Sequence, residues 1–136
     1  MAIVISILAF LFSIIQFFKD SSRAQKEATL NAYNYLQENV FSCLKRYDLT
    51  NIKTETDEWN AITICMAKIE NFSVGINTGI YSIEILNRLG GGFFISQYEK
   101  LWPIIEKKRN EDPNSKHYDE FEVVVNKLRA ERERVK

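Results

Sequence analysis

The chain opens with an apolar run over residues 2–18 that contains no charged side chain. Three polar residues interrupt the run: Ser6, Ser13 and Gln16. At about 1.5 Å per residue, a helix over this run covers roughly 25 Å, at the short end of the lengths that cross a ~30 Å hydrocarbon core. The pattern predicts a transmembrane helix, with residues 1–19 as an anchor.

A cleaved signal peptide is the main alternative, because such peptides also begin with an apolar run. Neither Lys nor Arg precedes this run, and bulky and charged residues follow it where cleavage needs small ones. Lys19, Arg23 and Lys26 follow the run, and the positive-inside rule then places residues 20–136 in the cytoplasm. We expect a single-pass membrane protein whose first partner is the lipid bilayer.

Residues 22–47 have the period of an amphipathic helix, with neither Gly nor Pro. The apolar stripe recurs at spacings of three and four: Leu30, Tyr33, Leu36, Val40, Leu44 and Tyr47. Either the membrane helix continues into this one, or Asp20, Ser21 and Ser22 begin a new helix by capping it. The polar stretch 48–54 is predicted to be a loop.

A second stripe predicts a helix over residues 56–78, whose inward face Cys65 and Val74 widen. The face itself comprises Trp59, Ile62, Met66, Ile69, Phe72 and Ile76. Gly75 is expected to permit a close helix approach, and Gly79 to cap the helix C-terminus.

Three glycines at 90–92 separate two further predicted helices, 82–89 and 93–109. We interpret the glycines as a helix terminator or hinge, because a phosphate-binding loop would follow a strand and lead into Lys-Ser or Lys-Thr. Pro103 predicts a kink or break near residues 99–103, since it lacks an N–H and clashes with the preceding turn.

A last helix is predicted over residues 113–134, after the turn signal Asp112-Pro113. Phe94, Tyr98, Leu101, Trp102 and Ile105 trace the helix before it. In the last helix, the residues predicted to face inward are Tyr118, Phe121, Val125 and Leu128. No segment alternates strictly between apolar and polar residues. The expected fold is therefore all-α, a transmembrane helix followed by one domain of about four helices.

Charge and composition argue against several functions. Lys plus Arg and Asp plus Glu both total 18, so no net field favours nucleic acid. The basic residues beside Trp102 are Lys100, Lys107, Lys108 and Arg109, and they are interrupted by Glu99, Glu106 and Glu111. Cys43 and Cys65 are predicted to be buried free thiols in a reducing compartment. A single histidine, His117, placed in the first turn of the last helix, supports neither a metal site nor a catalytic pair. We expect no metal, cofactor or catalytic residue.

Glu70 and Glu84 lie in otherwise apolar stretches, where a buried carboxylate would have a raised pKa. We expect each instead to face solvent or to pair with a basic residue such as Lys68, Arg88 or Arg109. An enzyme or ligand binder built on both carboxylates stays an alternative, and it requires them to converge in one pocket.

The order of features resembles an uncharacterised bacterial family of small membrane-anchored helical proteins, a domain of unknown function. The resemblance covers nearly the whole chain, through Thr29-Leu30, the Ile69-Glu70-Asn71-Phe72 stretch with Gly75, Ile76 and Gly79, Leu101-Trp102-Pro103-Ile104-Ile105 leading to Arg109, and Tyr118 with Phe121-Glu122. It implies anchoring in the bacterial inner membrane with a cytoplasmic helical domain, and it supplies no catalytic residue. Positions expected to serve interaction or structure are Glu70, Asn71, Gly75, Trp102, Pro103 and Arg109.

The leading functional hypothesis is a non-catalytic, membrane-tethered module that binds a protein partner through a helix face. Exposure of Trp102, Phe93 or Phe94 on one patch would favour it. The alternative is a small membrane-acting effector, of a phage-exclusion or toxin-like kind, that self-associates through the face of the span bearing Ser6 and Ser13.

Overall fold

The computed structural model describes residues 2–136. Its elements are α1 (Ala2–Tyr35), a π-helical segment (Leu36–Phe41), α2 (Ser42–Leu44), α3 (Asp57–Asn77), α4 (Ile83–Glu111) and α5 (Asp119–Arg134). No strand occurs among the described residues, which confirms the all-α fold. Helix α4 packs against α1, α3 packs against the π-helical segment, and α5 packs against both α3 and α4.

Helix α1 runs unbroken from the apolar segment into the domain. It passes through Asp20, Ser21 and Ser22 without a cap, so the alternative of a new helix at these residues is wrong. Its N-terminal part is long and apolar enough to cross a membrane, judged by length and composition, and none of that apolar window is buried. Residues 19–24 are exposed, and Gln25 is the first residue beyond them that the domain covers.

The inward face of α1 begins one residue earlier than the apolar stripe predicts. Leu30, expected in the core, is 41% exposed, whereas Thr29 is fully buried. The Thr29 hydroxyl donates to the Gln25 carbonyl at 2.7 Å and accepts from the Ser82 N–H at 2.8 Å. The hydroxyl thus has a partner both as donor and as acceptor, so its burial leaves no polar group without a hydrogen bond.

The π-helical segment follows α1 directly and changes which residues face the core. Its hydrogen bonds span five residues rather than four, so Leu36 and Phe41 come to lie on the same, buried face. Tyr33, Val40 and Leu44 are also buried, as predicted, and Tyr47 packs against the core.

Helix α3 closely matches the predicted helix 56–78. Thr56 caps it, since the Thr56 hydroxyl accepts the Trp59 N–H at 3.1 Å. Beyond the other end, Gly79 has φ +83 and donates its N–H to the Ile76 carbonyl at 3.2 Å, which confirms its role at the helix C-terminus. The predicted inward face is buried, and only the widening by Val74 is wrong, because that side chain is 39% exposed.

The two helices predicted over 82–89 and 93–109 are joined into α4 across a kink at Gly90, where φ is 177 and ψ is 47. A Cβ atom at Gly90 would overlap the buried Tyr33 hydroxyl, so a glycine lets α1 and α4 approach closely here. The hinge interpretation of the glycine run is supported, with the kink at its first residue. The expected break at Pro103 is wrong, because residues 99–103 stay helical.

Helix α5 begins at Asp119, six residues after the predicted start at residue 113. The Ser115 N–H bonds to the Asp112 carbonyl at 3.0 Å, so Pro113 lies inside a turn instead of starting the helix. Tyr118 then adopts a left-handed conformation with φ 64 immediately before α5. His117 consequently lies in this loop and not in the first turn of the helix, which corrects its predicted position.

An aromatic cluster holds the helices together around Phe94. The Phe94 ring centroid lies 6.3 Å from that of Phe41, 5.9 Å from that of Phe72 and 5.1 Å from that of Phe121. These rings come from the π-helical segment, α3 and α5, so one side chain of α4 joins all of them. Trp102, on the same predicted stripe as Phe94, is 41% exposed.

Candidate functional site

A groove of about 340 Å³ opens between α1, α3 and the loop that follows α3. We call it the α1–α3 groove, and it is lined by Ala32, Tyr35, Leu36, Lys68, Asn71, Phe72 and Tyr81. Its floor is apolar and aromatic, and Lys68 is the charged residue among those that line it. An apolar depression with a few polar groups at its edge is the usual form of a recognition site.

Lys68 and Tyr35 form one edge of the groove. The Lys68 ammonium donates to the Tyr35 hydroxyl at 3.2 Å and lies 5.6 Å from the centroid of the Tyr35 ring. The hydrogen bond that Lys68 donates to Tyr35 raises the pKa of Lys68 above its ordinary value. The ammonium is therefore held in its charged form at the entrance, where it can attract an anionic group.

Tyr81 forms the opposite edge, and Gly75 explains its position. A Cβ atom at Gly75 would overlap the Tyr81 ring, so the glycine leaves the space that this ring occupies. The Tyr81 ring stacks on Phe72 at 5.3 Å, and the Tyr81 N–H bonds to the Gly75 carbonyl at 3.0 Å. The close approach predicted at Gly75 is thus made by an aromatic side chain of the following loop and not by another helix.

Asn71 is exposed and lies in the groove, on the same face of α3 as Lys68. Ile64, at the matching spacing one turn before Lys68, is 59% exposed. Positions 64, 68 and 71 follow the i, i+4, i+7 spacing of one helix face. This face of α3 is directed away from the core and leaves an exposed apolar residue beside a cation and an amide.

Glu70 has a structural role, but its partners are backbone N–H groups and not solvent or a basic side chain. Its two carboxylate oxygens accept the N–H groups of Glu120 at 2.8 Å and Phe121 at 3.0 Å, in the first turn of α5. A carboxylate at this position satisfies N–H groups that have no partner within the helix, and it interacts favourably with the helix dipole. Glu70 is half-buried and neither faces solvent freely nor pairs with a basic residue, so both expectations for it were wrong.

The pKa of Glu70 reflects two opposing effects. Desolvation by burial raises it above the ordinary value of 4.5, with smaller upward contributions from the charges of Glu120 and Asp119. The two backbone hydrogen bonds lower it, but they do not overcome burial. Burial and the Glu70 charge, in turn, raise the pKa of the nearby Tyr118 to about 12.

Arg109 joins the end of α4 to the loop and to α5. Its Nε donates to the His117 carbonyl at 3.0 Å, and its terminal nitrogen donates to the Glu122 carboxylate at 3.0 Å. The guanidinium carbon lies 5.8 Å from the centroid of the Trp102 ring. Arg109 therefore secures the loop that leads into α5, and Trp102 covers it from the solvent side.

The structure divides the predicted site residues into two groups. Asn71 and Gly75 belong to the α1–α3 groove, whereas Glu70, Arg109 and Trp102 surround the start of α5. Pro103 is half-buried within α4 and has no polar partner among the described contacts.

The second carboxylate, Glu84, behaves as expected. It pairs with Arg88 at 3.2 Å on an exposed helix face. Glu70 and Glu84 thus have different partners, Glu70 at the start of α5 and Glu84 at the start of α4.

The two cysteines and the possible metal ligands are the remaining candidates for chemistry. Cys65 is buried, Cys43 is half-buried and both thiols are free; burial and the neighbouring Cys43 raise the pKa of Cys65. Over residues 2–136, no group of three or more His, Cys, Asp or Glu side chains could hold a metal ion. Within the same residues, every buried side-chain nitrogen and oxygen has a hydrogen-bond partner.

Sequence reasoning missed Tyr35, Lys68 and Tyr81 as groove residues. A signal was available for Lys68, because it shares the exposed face of α3 with Asn71. Tyr35 lies just off the apolar stripe of α1, and Tyr81 lies in a loop, so no periodicity marks either residue.

Comparison with known proteins assigns the chain to a family. The model of the family described as Domain of unknown function (DUF4760) matches residues 3–128. No curated protein and no solved structure matches the chain. The match includes the apolar segment and nearly all of the helical domain, and it confirms the resemblance to a family of unknown function. The chain therefore belongs to the DUF4760 family.

Proposed function

We propose that the chain is a membrane-tethered, non-catalytic module that receives a protein partner in its α1–α3 groove. The observation that carries the proposal is that the groove opens on the same helix whose N-terminal part is apolar, exposed and long enough to span a membrane. The proposed anchor and the proposed binding surface are therefore rigidly joined through α1.

Three features support an anchor in the bacterial cytoplasmic membrane with the domain inside. No side chain of the apolar window is buried against the domain. Outside a membrane, the whole window would therefore be exposed to water. Lys19, Arg23 and Lys26 follow this window, as expected for a cytoplasmic flank. The family match begins at residue 3, within the apolar run, which indicates that the run is part of the shared domain.

The composition of the groove defines the partner. Tyr35, which is 47% exposed, and the half-buried Tyr81 offer an aromatic surface for one large side chain above the buried Leu36 and Phe72, since aromatic residues dominate the binding energy of many interfaces. Lys68 would pair with a carboxylate beside that side chain. The proposed ligand is thus a protein segment that presents an apolar residue next to an acidic one.

Photocrosslinking in living cells tests this proposal. With p-benzoylphenylalanine in place of Asn71, we expect one discrete adduct with a different protein, whereas the same probe in place of Val123, which is exposed on α5, gives none. Reversal of the groove charge by Lys68→Glu should lower the adduct yield by about tenfold or more, because like charges then face each other. A compensating acid-to-lysine change in the partner should restore it.

Three results would contradict the proposal. They are equal adducts from both probe positions, a yield that does not respond to Lys68→Glu, and an adduct consisting only of two copies of this chain. The last result would favour a self-associating membrane effector. The hydroxyls of Ser6 and Ser13 already donate to carbonyls of their own helix, at 3.0 and 2.9 Å, and do not require a second copy.

A further inference from the structure

An exposed isoleucine lies on the loop at the anchor-proximal end of the domain. Ile80 is 63% exposed between Gly79 and Tyr81, in the connection from α3 to α4. Most exposed apolar residues need no explanation when they occur singly. This one differs in its position, because the loop that carries it is fastened to α1 close to the apolar segment.

Two hydrogen bonds fasten the loop. The Gln25 side-chain amide donates to the Gly79 carbonyl at 2.7 Å, and the Ser82 N–H donates to the Thr29 hydroxyl at 2.8 Å. The stacking of Tyr81 on Phe72 holds the loop from the other side. Ile80 is therefore presented outward on a constrained segment.

The direction of α3 places this loop at the end of the domain nearest the proposed membrane. Lys68 contacts Tyr35, whereas Gly79 contacts Gln25, so α3 runs antiparallel to α1 and descends toward the apolar segment. Gln25 is also the first residue past the exposed stretch 19–24 that the domain covers.

The height of the loop above the bilayer follows from helix geometry. From Phe18 to Gln25, α1 rises about 10 Å. The apolar run covers roughly 25 Å of a ~30 Å hydrocarbon core. The loop lies about 5 Å beyond the hydrocarbon edge if the helix is drawn inward by the whole difference, and about 10 Å beyond it if the bilayer thins to match. A head-group layer about 5–8 Å deep therefore reaches the loop in the first case and comes within about 2–5 Å of it in the second.

The basic residues of α1 between the apolar run and Gln25's neighbour Lys26 are also suited to a membrane surface. Lys19, Arg23 and Lys26 follow the i, i+4, i+7 spacing and so share one face of α1. Basic residues at this height are attracted to anionic lipid head groups.

We propose that the 78–82 loop docks on the anionic membrane surface and inserts Ile80 at the head-group boundary, which fixes the domain against the bilayer. This inference rests on the proposed membrane anchor. It adds a second, peripheral lipid contact that determines how the α1–α3 groove is oriented above the membrane.

Site-specific fluorescence in vesicles tests the inference on the full chain. In a Cys43→Ser, Cys65→Ala background, an environment-sensitive dye is attached to Ile80→Cys, and the chain is reconstituted in phosphatidylcholine–phosphatidylglycerol vesicles. Spin-labelled lipids with the nitroxide near the head group should remove most of the dye fluorescence. Ile64→Cys is the matched control, since Ile64 is 59% exposed but lies about 20 Å farther along α3, and its dye should keep its fluorescence.

A dye on Leu11→Cys, read with lipids whose nitroxide lies deep in the acyl chain, separates the two proposals. If the Leu11 dye is quenched by lipid but the Ile80 dye behaves like the Ile64 dye, the docking inference is overturned and the anchor stands. If the Leu11 dye is not quenched, the anchor itself is wrong. Hydrogen exchange on the unsubstituted chain gives a second readout: amides of residues 78–82 should exchange more slowly in anionic vesicles than in detergent, and equal rates would overturn the docking.

Discussion

Replacement of Phe94 by alanine should lower the free energy of unfolding of the domain by about 3–5 kcal/mol, the range for a fully buried phenylalanine. Phe94 is 0% exposed and its ring contacts aromatic rings from the π-helical segment, α3 and α5. Its removal leaves a cavity where these elements meet. Urea unfolding of the full chain in detergent, followed by helical circular dichroism, measures the loss.

Phe93→Ala is the matched control for this prediction. Phe93 has the same side chain and the next position on α4, but it is only partly buried and contacts Phe41 from the edge of the core. Its loss should be clearly smaller, because stabilisation scales with the apolar area removed from water. Equal losses for the two variants would show that Phe94 does not occupy the centre of the core.

Glu70→Ala should destabilise the domain by about 1–3 kcal/mol at neutral pH, because two N–H groups in the first turn of α5 lose their acceptor. The same unfolding experiment measures the change. Glu84→Ala is the matched control. That carboxylate pairs with Arg88 on an exposed face, where such pairs contribute little, and its removal should change stability by less than about 0.5 kcal/mol.

The raised pKa of Glu70 adds a dependence on pH to this prediction. The folded protein holds the Glu70 proton more tightly than the unfolded chain does, because the pKa of the Glu70 carboxyl is raised above its ordinary value of 4.5 on folding. This tighter proton binding adds to the free energy of unfolding. The contribution is fully present below the unfolded-state pKa of Glu70 and is lost as pH rises through the higher folded-state pKa. The unfolding free energy of the wild type, relative to the non-titrating Glu70→Gln, should therefore fall as pH is raised from about 4 to about 7. A difference that is constant or rises with pH would contradict the assignment.

Much of the fold follows from local sequence patterns. The spacing of apolar residues predicted α3 closely, because Thr56 and Gly79 at its ends reinforce the period. The inward residues of α5 were also predicted correctly. Its start was not, since Asp112-Pro113 is compatible with either a helix start or a turn, and the contact of Arg109 with the His117 carbonyl favours the turn.

Other features depend on contacts between residues distant in the chain. Helix continuity through Asp20, Ser21 and Ser22 could not be predicted, because capping residues are equally tolerated on an exposed helix. The role of Glu70 depends on where α5 begins, fifty residues later. The α1–α3 groove depends on the position of Tyr81, which is set by the absence of a side chain at Gly75.

The intact mass of the chain recovered from alkali-washed membranes tests the central claim most directly. If α1 is a permanent anchor that continues into the domain, the chain should stay in the membrane pellet and have its full mass of 15.9 kDa. Recovery in the soluble fraction, or a mass lowered by loss of the N-terminal apolar residues, would show that this segment is not an anchor.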